Sequence, residues 1–294
     1  YRVLTFRWEA HMKKTLMILV GLALLILGFL AGSDFDLMPK PNRVGVIEVR
    51  GTIADVQEAL KSLKSFRKDP NIKAILVRID SPGGGIAPSQ ELYRELKRLA
   101  QEKPVVSSLG SVAASGGYYV AVGTQRIISN PGTITGSIGV ISYFPNLREL
   151  FEKIGFHTVI VKSGPFKDMG NPGREMTQQE KDLIQATIDE AHRQFIADVA
   201  QGRKLPEDKV REIADGRIFM GETALKLGLV DELGNMEDAV TAAARMGNIE
   251  GEPELIYAKK KKLSLLDLLL GSEASERLNG LLEGSYEPLR YQMP

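Results

Sequence analysis

From residue 44 onward, short apolar runs alternate with segments whose apolar residues recur every three or four positions. Residues 44–49, 74–79 and 105–109 are runs of the first kind, rich in β-branched side chains, and they predict strands. Further strands are expected near residues 126–128, 138–142 and 158–161. In 56–66, Val56, Ala59, Leu60 and Leu63 share one helical face. A second helix is expected over about 89–101, and a third begins near Ser115. Residues 177–199 carry the plainest helical signal: Thr177 and Glu180 form a capping box, and Ile184, Ile188, Ala191, Phe195 and Val199 make one stripe. A shorter helix over 222–227 stops at Gly228. Apolar strands alternating with helices imply an α/β fold, with a largely parallel, buried sheet flanked by helices. No internal duplication is visible, which implies one copy of this unit.

The N-terminal pattern is different. Residues 16–31 are almost purely apolar, and 15–33 carry no charge, a run just long enough to cross a bilayer as a helix. Arg2, Arg7, Lys13 and Lys14 precede it, while Asp34 and Asp36 follow. This asymmetry puts residues 1–14 in the cytoplasm and everything after the span outside, as a single-pass protein of the cell membrane. A cleaved signal peptide is the alternative, but no A-x-A pattern closes the run, so an uncleaved anchor over 15–32 is expected. Residues 1–11 precede Met12-Lys13-Lys14, which reads as a start followed by a basic region, so they are set aside as non-native. Two prolines and mixed charge make 33–43 a linker. The catalytic domain is expected over 44–250, and 251–294 forms an extension ending in a flexible tail.

Composition narrows the chemistry. Among the 294 residues, 38 Lys and Arg face 37 Asp and Glu, leaving no basic excess to neutralise nucleic-acid phosphates. The run Lys259–Lys262 reads as a solvated face. Cysteine is absent, which removes thiol nucleophiles, disulfides and zinc–cysteine sites. Neither phosphate-cradle motif, G-x-x-x-x-G-K-[ST] or G-x-G-x-x-G, is present. No cofactor or metal is expected.

Three glycine-bearing turns follow strands: Ser81-Pro82-Gly83-Gly84-Gly85, Ala114-Ser115-Gly116-Gly117 and Thr135-Gly136-Ser137-Ile138-Gly139. Such turns bring backbone N–H groups to a ligand without an intervening Cβ. Ser115 opens a helix, where the N–H of Gly116 can hold an oxyanion, although an N-cap role fits the same position. The three histidines do not supply a base: His11 precedes the apolar span, His157 begins a strand candidate, and His192 sits mid-helix. A lysine base near pH 7 needs its pKa lowered by roughly three units, which burial against apolar groups supplies. By position, Lys162 and Lys167 both qualify.

Together these motifs, with Ser163-Gly164-x-x-Lys167-Asp168 and Gly228-Leu229-Val230-Asp231 before Leu233-Gly234, resemble the S49 serine peptidases of the signal peptide peptidase A type, in their half-length form. The resemblance covers about residues 44–240. It implies a ClpP/crotonase-like fold, Ser115 as nucleophile, Lys167 in preference to Lys162 as base, and Ser137 supporting that lysine. It assigns the oxyanion hole to Gly84 and Gly116 in preference to Gly83. One departure is Asp80, where the family often carries Asn. The implied substrates are cleaved signal peptides, cut within their apolar segments by acyl-enzyme hydrolysis. The implied partner is a second copy of the chain, in a homo-oligomer of about eight protomers whose dyads are shared between neighbours. The tail 288–294 is expected to be able to reach such a site. A membrane protease of the NfeD-associated type, a crotonase-like acyl-CoA enzyme and a non-catalytic membrane scaffold are the alternative readings.

Overall fold

A computed structural model describes residues 17–24, 42–258 and 290–292. The chain divides into two compact units, Tyr1–Lys40 and Pro41–Pro294. In the first, residues 17–24 are helical (α1). The rest of the anchor expected over 15–32, and the linker up to residue 41, lie outside the described residues. Among the described residues no helix is long and apolar enough to cross a membrane.

The second unit begins with β1 (Arg43–Arg50), α2 (Gln57–Lys68), β2 (Ile72–Ser81), β3 (Gly83–Gly85), α3 (Ile86–Leu99), β4 (Val105–Ala114) and α4 (Gly116–Val122). It continues with β5 (Arg126–Ser129), β6 (Ile134–Gly136), α5 (Arg148–Lys153), α6 (Gln178–Arg203) and α7 (Glu207–Ile213). Then come β7 (Ile218–Met220), α8 (Gly221–Lys226), β8 (Glu232–Leu233), α9 (Met236–Met246), β9 (Glu254–Tyr257) and β10 (Arg290–Gln292). The main sheet runs β7-β6-β4-β2-β1-β9, with β5 also on β4 and β8 on β5. Its pairings are parallel except β6 with β7. The expected α/β layering with a largely parallel sheet is what forms.

The strand alternation assigns each face its cover. Val44, Val46, Ala74, Leu76 and Val106 point to one side and pack with Ala239, Val240 and Ala243 of α9. Ile47, Val49, Ile75, Val77 and Ile79 point to the other, against Leu63 of α2, Leu96 of α3, Tyr119 of α4 and Phe195 of α6. Each large apolar side chain buried this way contributes roughly 1.5–3 kcal/mol. β9, from the segment read as an extension, completes the sheet edge beside β1.

Two strand expectations are corrected. In place of 138–142 the ladder takes Ile134–Gly136, because Gly136 (φ 78°) and Ser137 (φ 50°) turn the chain before Ile138. Residues 158–161 form no strand: Val159 is 90% and Val161 95% exposed, so β-branched propensity there finds no partner strand among the described residues. The capping box of α6 forms as expected, with Glu180 N–H on Thr177 Oγ1 at 3.2 Å and Thr177 N–H on Glu180 Oε2 at 2.8 Å.

Candidate active site

The three glycine turns meet because β2, β4 and β6 are parallel neighbours that end together. Ser81 pairs with Ala113, and Ala114 with Gly136. The β2–β4 register shifts between Ile79 and Ser81, and Asp80 staples that irregularity by accepting the Val112 N–H on Oδ1 at 3.1 Å. An asparagine would offer the same acceptor oxygen, so Asp80 departs from the family pattern without losing this bond.

Ser115 joins β4 to α4 at φ 53°, ψ −118°, a left-handed backbone that costs a non-glycine residue of order 1–3 kcal/mol. Two backbone bonds hold it there: its N–H donates to Gly136 O at 2.8 Å, and its carbonyl accepts the Tyr119 N–H at 2.8 Å. It occupies the N-cap position, yet its side chain caps nothing. Its Oγ is buried and has no hydrogen-bond partner among the described residues. A buried, unpaired hydroxyl costs about 1–3 kcal/mol, an outlay with no structural return. The N-cap reading of Ser115 therefore fails.

Gly116 begins α4, so its N–H has no partner inside the helix. A Cβ at Gly117 would stand 2.8 Å from Ser81 O, and this close approach packs the first turn of α4 against the end of β2. In β3, the Gly83 N–H is taken by Ser81 Oγ at 3.1 Å and the Gly85 N–H by Ile53 O at 2.8 Å. Gly84 is the β3 amide that neither Ser81 Oγ nor Ile53 O takes, and Tyr291 of β10 is its ladder partner. A Cβ at Gly84 would meet Ile53 O at 2.3 Å, so only glycine fits. Along the other edge of β3 runs β10, antiparallel, with Tyr291 opposite Gly84. The chain's own tail thus shows that this edge accepts an extended segment.

Ser137 (φ 50°) is buried next to this cluster and donates its N–H to Arg217 O at 2.8 Å. Ser115, Gly116, Ser137 and Gly84 therefore gather at one end of the sheet. Lys167 does not join them. It is exposed in a turn, its N–H on Gly164 O at 3.2 Å, and its side chain has no hydrogen-bond or ion-pair partner among the described residues. Lys162 is committed elsewhere, its Nζ 2.5 Å from Asp168 Oδ1 and 3.0 Å from Pro165 O. Of the two lysines only Lys167 is unengaged.

Sequence reasoning missed what fixes the loop bearing Lys167. Arg174 grips Asp168 through Nε and Nη2, both at 2.9 Å, and its guanidinium also binds Glu180. These bonds to Arg174, with Lys162 on Asp168, hold Asp168 well below the usual carboxylate range. Hydrogen bonding to Arg174, then to the Thr177 backbone, lowers Glu180 to about 2. The signal was present in the Thr177–Glu180 box, whose glutamate serves both the helix and the clamp. Also unforeseen were the hydroxyl anchors of α4. Tyr118 donates to Leu229 O at 2.7 Å, and Tyr119 and Tyr93 share the Asp198 carboxylate. Burial pushes the Tyr118 and Tyr93 hydroxyls above their ordinary range, which keeps them as donors.

Comparison with known proteins gives the family. Residues 97–250 match the model of peptidase family S49. Protein slr0021 of Synechocystis sp., which bears a provisional protease name, is 48% identical over 211 residues, covering 71% of this chain and 76% of that one. A provisionally named signal peptide peptidase SppA of Enterococcus faecium is 37% identical over 249 residues, covering 80% and 72%. Among solved structures, a ClpP1 point mutant from Listeria monocytogenes aligns with 66% of this chain and 93% of its own, at 15% identity and a TM-score of 0.46. On the extent of the family match and the similarity of these relatives, the chain belongs to peptidase family S49.

Proposed function

We propose that the protein is a membrane-anchored serine endopeptidase of the cell membrane, with its catalytic unit outside the cytoplasm, that degrades cleaved signal peptides. Ser115 attacks the scissile carbonyl, Lys167 takes the Ser115 proton, and the N–H groups of Gly84 and Gly116 hold the oxyanion. The acyl group on Ser115 is then released by water, with the lysine returning the proton. Ser137 helps to hold the lysine.

One observation carries this reading: a strained, buried serine whose Oγ is unpaired, at the meeting of three glycine turns. The β10 pairing supports a peptide as ligand, since an extended chain laid antiparallel on β3 presents its carbonyls beside Gly84. The name of the Enterococcus relative supports signal peptides as the substrate class.

The separation of Ser115 from Lys167 supports a dyad shared between copies, in a homo-oligomer of about eight. Within one chain the serine is buried and the lysine exposed, and no hydrogen bond joins them. The segment carrying Lys167 is also unusually apolar outside: Tyr143, Leu150, Ile154, Phe156, Val159 and Val161 are each more than half exposed. A face of that kind fits an interface. The test is labelling of Ser115 by an acylating serine-peptidase probe. Labelling is expected in the native protein and absent in Ser115→Ala and Lys167→Ala; labelling that survives both substitutions rejects the mechanism. Turnover of an acyl-CoA with the dyad removed would favour the crotonase-like alternative.

A further inference from the structure

Beside Ser137 opens a cavity of about 360 Å3 whose walls include Val140, Ile188, Asp189, His192 and Gly216. Because Gly136 O takes the Ser115 N–H, this cavity begins one residue from the nucleophile turn. Val140 and Ile188 give it an apolar wall. His192 Nε2 is buried there and has no hydrogen-bond partner among the described residues. An unpaired ring nitrogen is costly to bury until a ligand group meets it.

Charge then selects the ligand. Asp189 lies one helical turn before His192 on α6, at the exposed rim, where its bonded partner is the neutral Gln185 amide at 2.7 Å. No cation pairs with it among the described residues. Asp215, the other carboxylate on the wall, is already matched by Arg217, with Nε–Oδ1 at 2.8 Å. The cavity therefore holds one uncompensated negative charge and one free nitrogen at the end of an apolar wall. An acidic side chain is repelled, and a short neutral one leaves both groups unmet.

We propose that this cavity is a subsite for one basic side chain of the peptide substrate. The methylene stem lies along Val140 and Ile188, and the lysine or arginine head is shared between the Asp189 carboxylate and His192 Nε2. The inference rests on the peptidase reading and adds a second determinant to it: an apolar segment with a basic residue close by. That is the layout where the charged and apolar regions of a secretory signal peptide join.

The test walks a lysine, and separately its uncharged near-isostere norleucine, along an apolar host peptide, with kcat/KM measured on the assembled full-length protein. One position is expected to favour lysine by about ten-fold. Asp189→Asn and His192→Gln should abolish that preference while leaving the norleucine peptide within about two-fold of native. Absence of a lysine-preferring position overturns the subsite, as does a preference that survives both variants. An equal loss on both peptides also overturns it, because the residues then act on fold or assembly. Turnover of the norleucine peptide that persists in Ser115→Ala is a separate result, and it defeats the peptidase reading itself.

Discussion

The turn at Ser115 and the segment from residue 141 to 176 are built on opposite principles. Around Ser115 everything is committed: every residue of α4 is buried, strands on both sides fix its backbone, and Tyr118 and Tyr119 bolt the helix to Leu229 and Asp198. The one buried side-chain oxygen left unpaired there among the described residues is the serine Oγ. In the second region little is committed. α5 buries no side chain, valines stand in the open, and Lys167 reaches nothing among the described residues of its own chain. A rigid site lacking a base and a loose arm bearing one complement each other. The difference suggests that the fold finishes the nucleophile within each copy and leaves the base to be delivered by assembly.

The sharpest way to break this contrast is to separate the two halves. Ser115→Ala is expected to lower peptidase activity by about 10⁴-fold or more. It should raise the melting temperature by a few degrees, since the lost hydroxyl made no bond and its burial was unfavourable. Lys167→Ala is expected to lose about 10³-fold, the worth of a general base. Co-assembled from denatured or dissociated chains, the two inactive variants should regain a measurable fraction of native activity, because some interfaces then pair an intact serine with an intact lysine. A mixture that stays inactive while assembling normally would return the dyad to a single chain.

Lys162 supplies the control. It is occupied by Asp168, and removing an exposed ion pair is worth about 0–1 kcal/mol, so Lys162→Ala should cost less than about ten-fold in kcat. A loss matching that of Lys167→Ala would mean that the wrong lysine has been assigned.

These expectations show how far the chain was legible before folding. The strands of the central sheet were plain because the buried stretches of β1, β2 and β4 carry apolar, often β-branched residues at most positions. The glycine turns were plain because close backbone approach needs glycine, as the 2.3 Å distance to Ile53 O at Gly84 shows. What escaped is what depends on partners distant in sequence. The pattern of residues 158–161 is that of a strand, but it meets no partner strand among the described residues. Ser115 and Lys167 could be nominated by motif, but their separation in one chain is a property of the fold. His192 was passed over as a mid-helix histidine, because periodicity cannot reveal that a ring nitrogen ends in a cavity.

The clamp at the root of the arm offers a smaller and pH-dependent effect. Glu180 is held at about 2, from an ordinary value of 4.5, and Asp168 is lowered as well. A lowered carboxyl contributes stability in full above its unfolded pKa, and loses it as pH falls through the folded one. The loop carrying Lys167 should therefore be equally protected at all pH values above about 5 and loosen progressively from about 4.5 towards about 2. Hydrogen exchange of residues 163–176 reads this directly. Arg174→Met should loosen the loop even at neutral pH, with a fall in kcat of about ten-fold as the lysine is less well positioned. Unchanged exchange in Arg174→Met would mean that the clamp is decoration.

The smallest effect tests the arm's apolar surface. Val161 is 95% exposed, so in a dissociated chain its side chain contributes almost nothing to the core, and Val161→Ser should change unfolding free energy by no more than about 0.5 kcal/mol. In an interface the same side chain loses its water, and replacing it with serine should weaken association by roughly 1–2 kcal/mol per buried copy, or about ten-fold. The expected signature is an assembly midpoint shifted to higher protein concentration in sedimentation velocity, with the melting curve of the dissociated chain unmoved. Activity should follow the assembled fraction, and saturating protein should restore it, because Val161 touches no reacting group. Were the melting curve to move and the midpoint to stay, Val161 would belong to its own chain's packing and the arm would not be the part of the fold reserved for a neighbour.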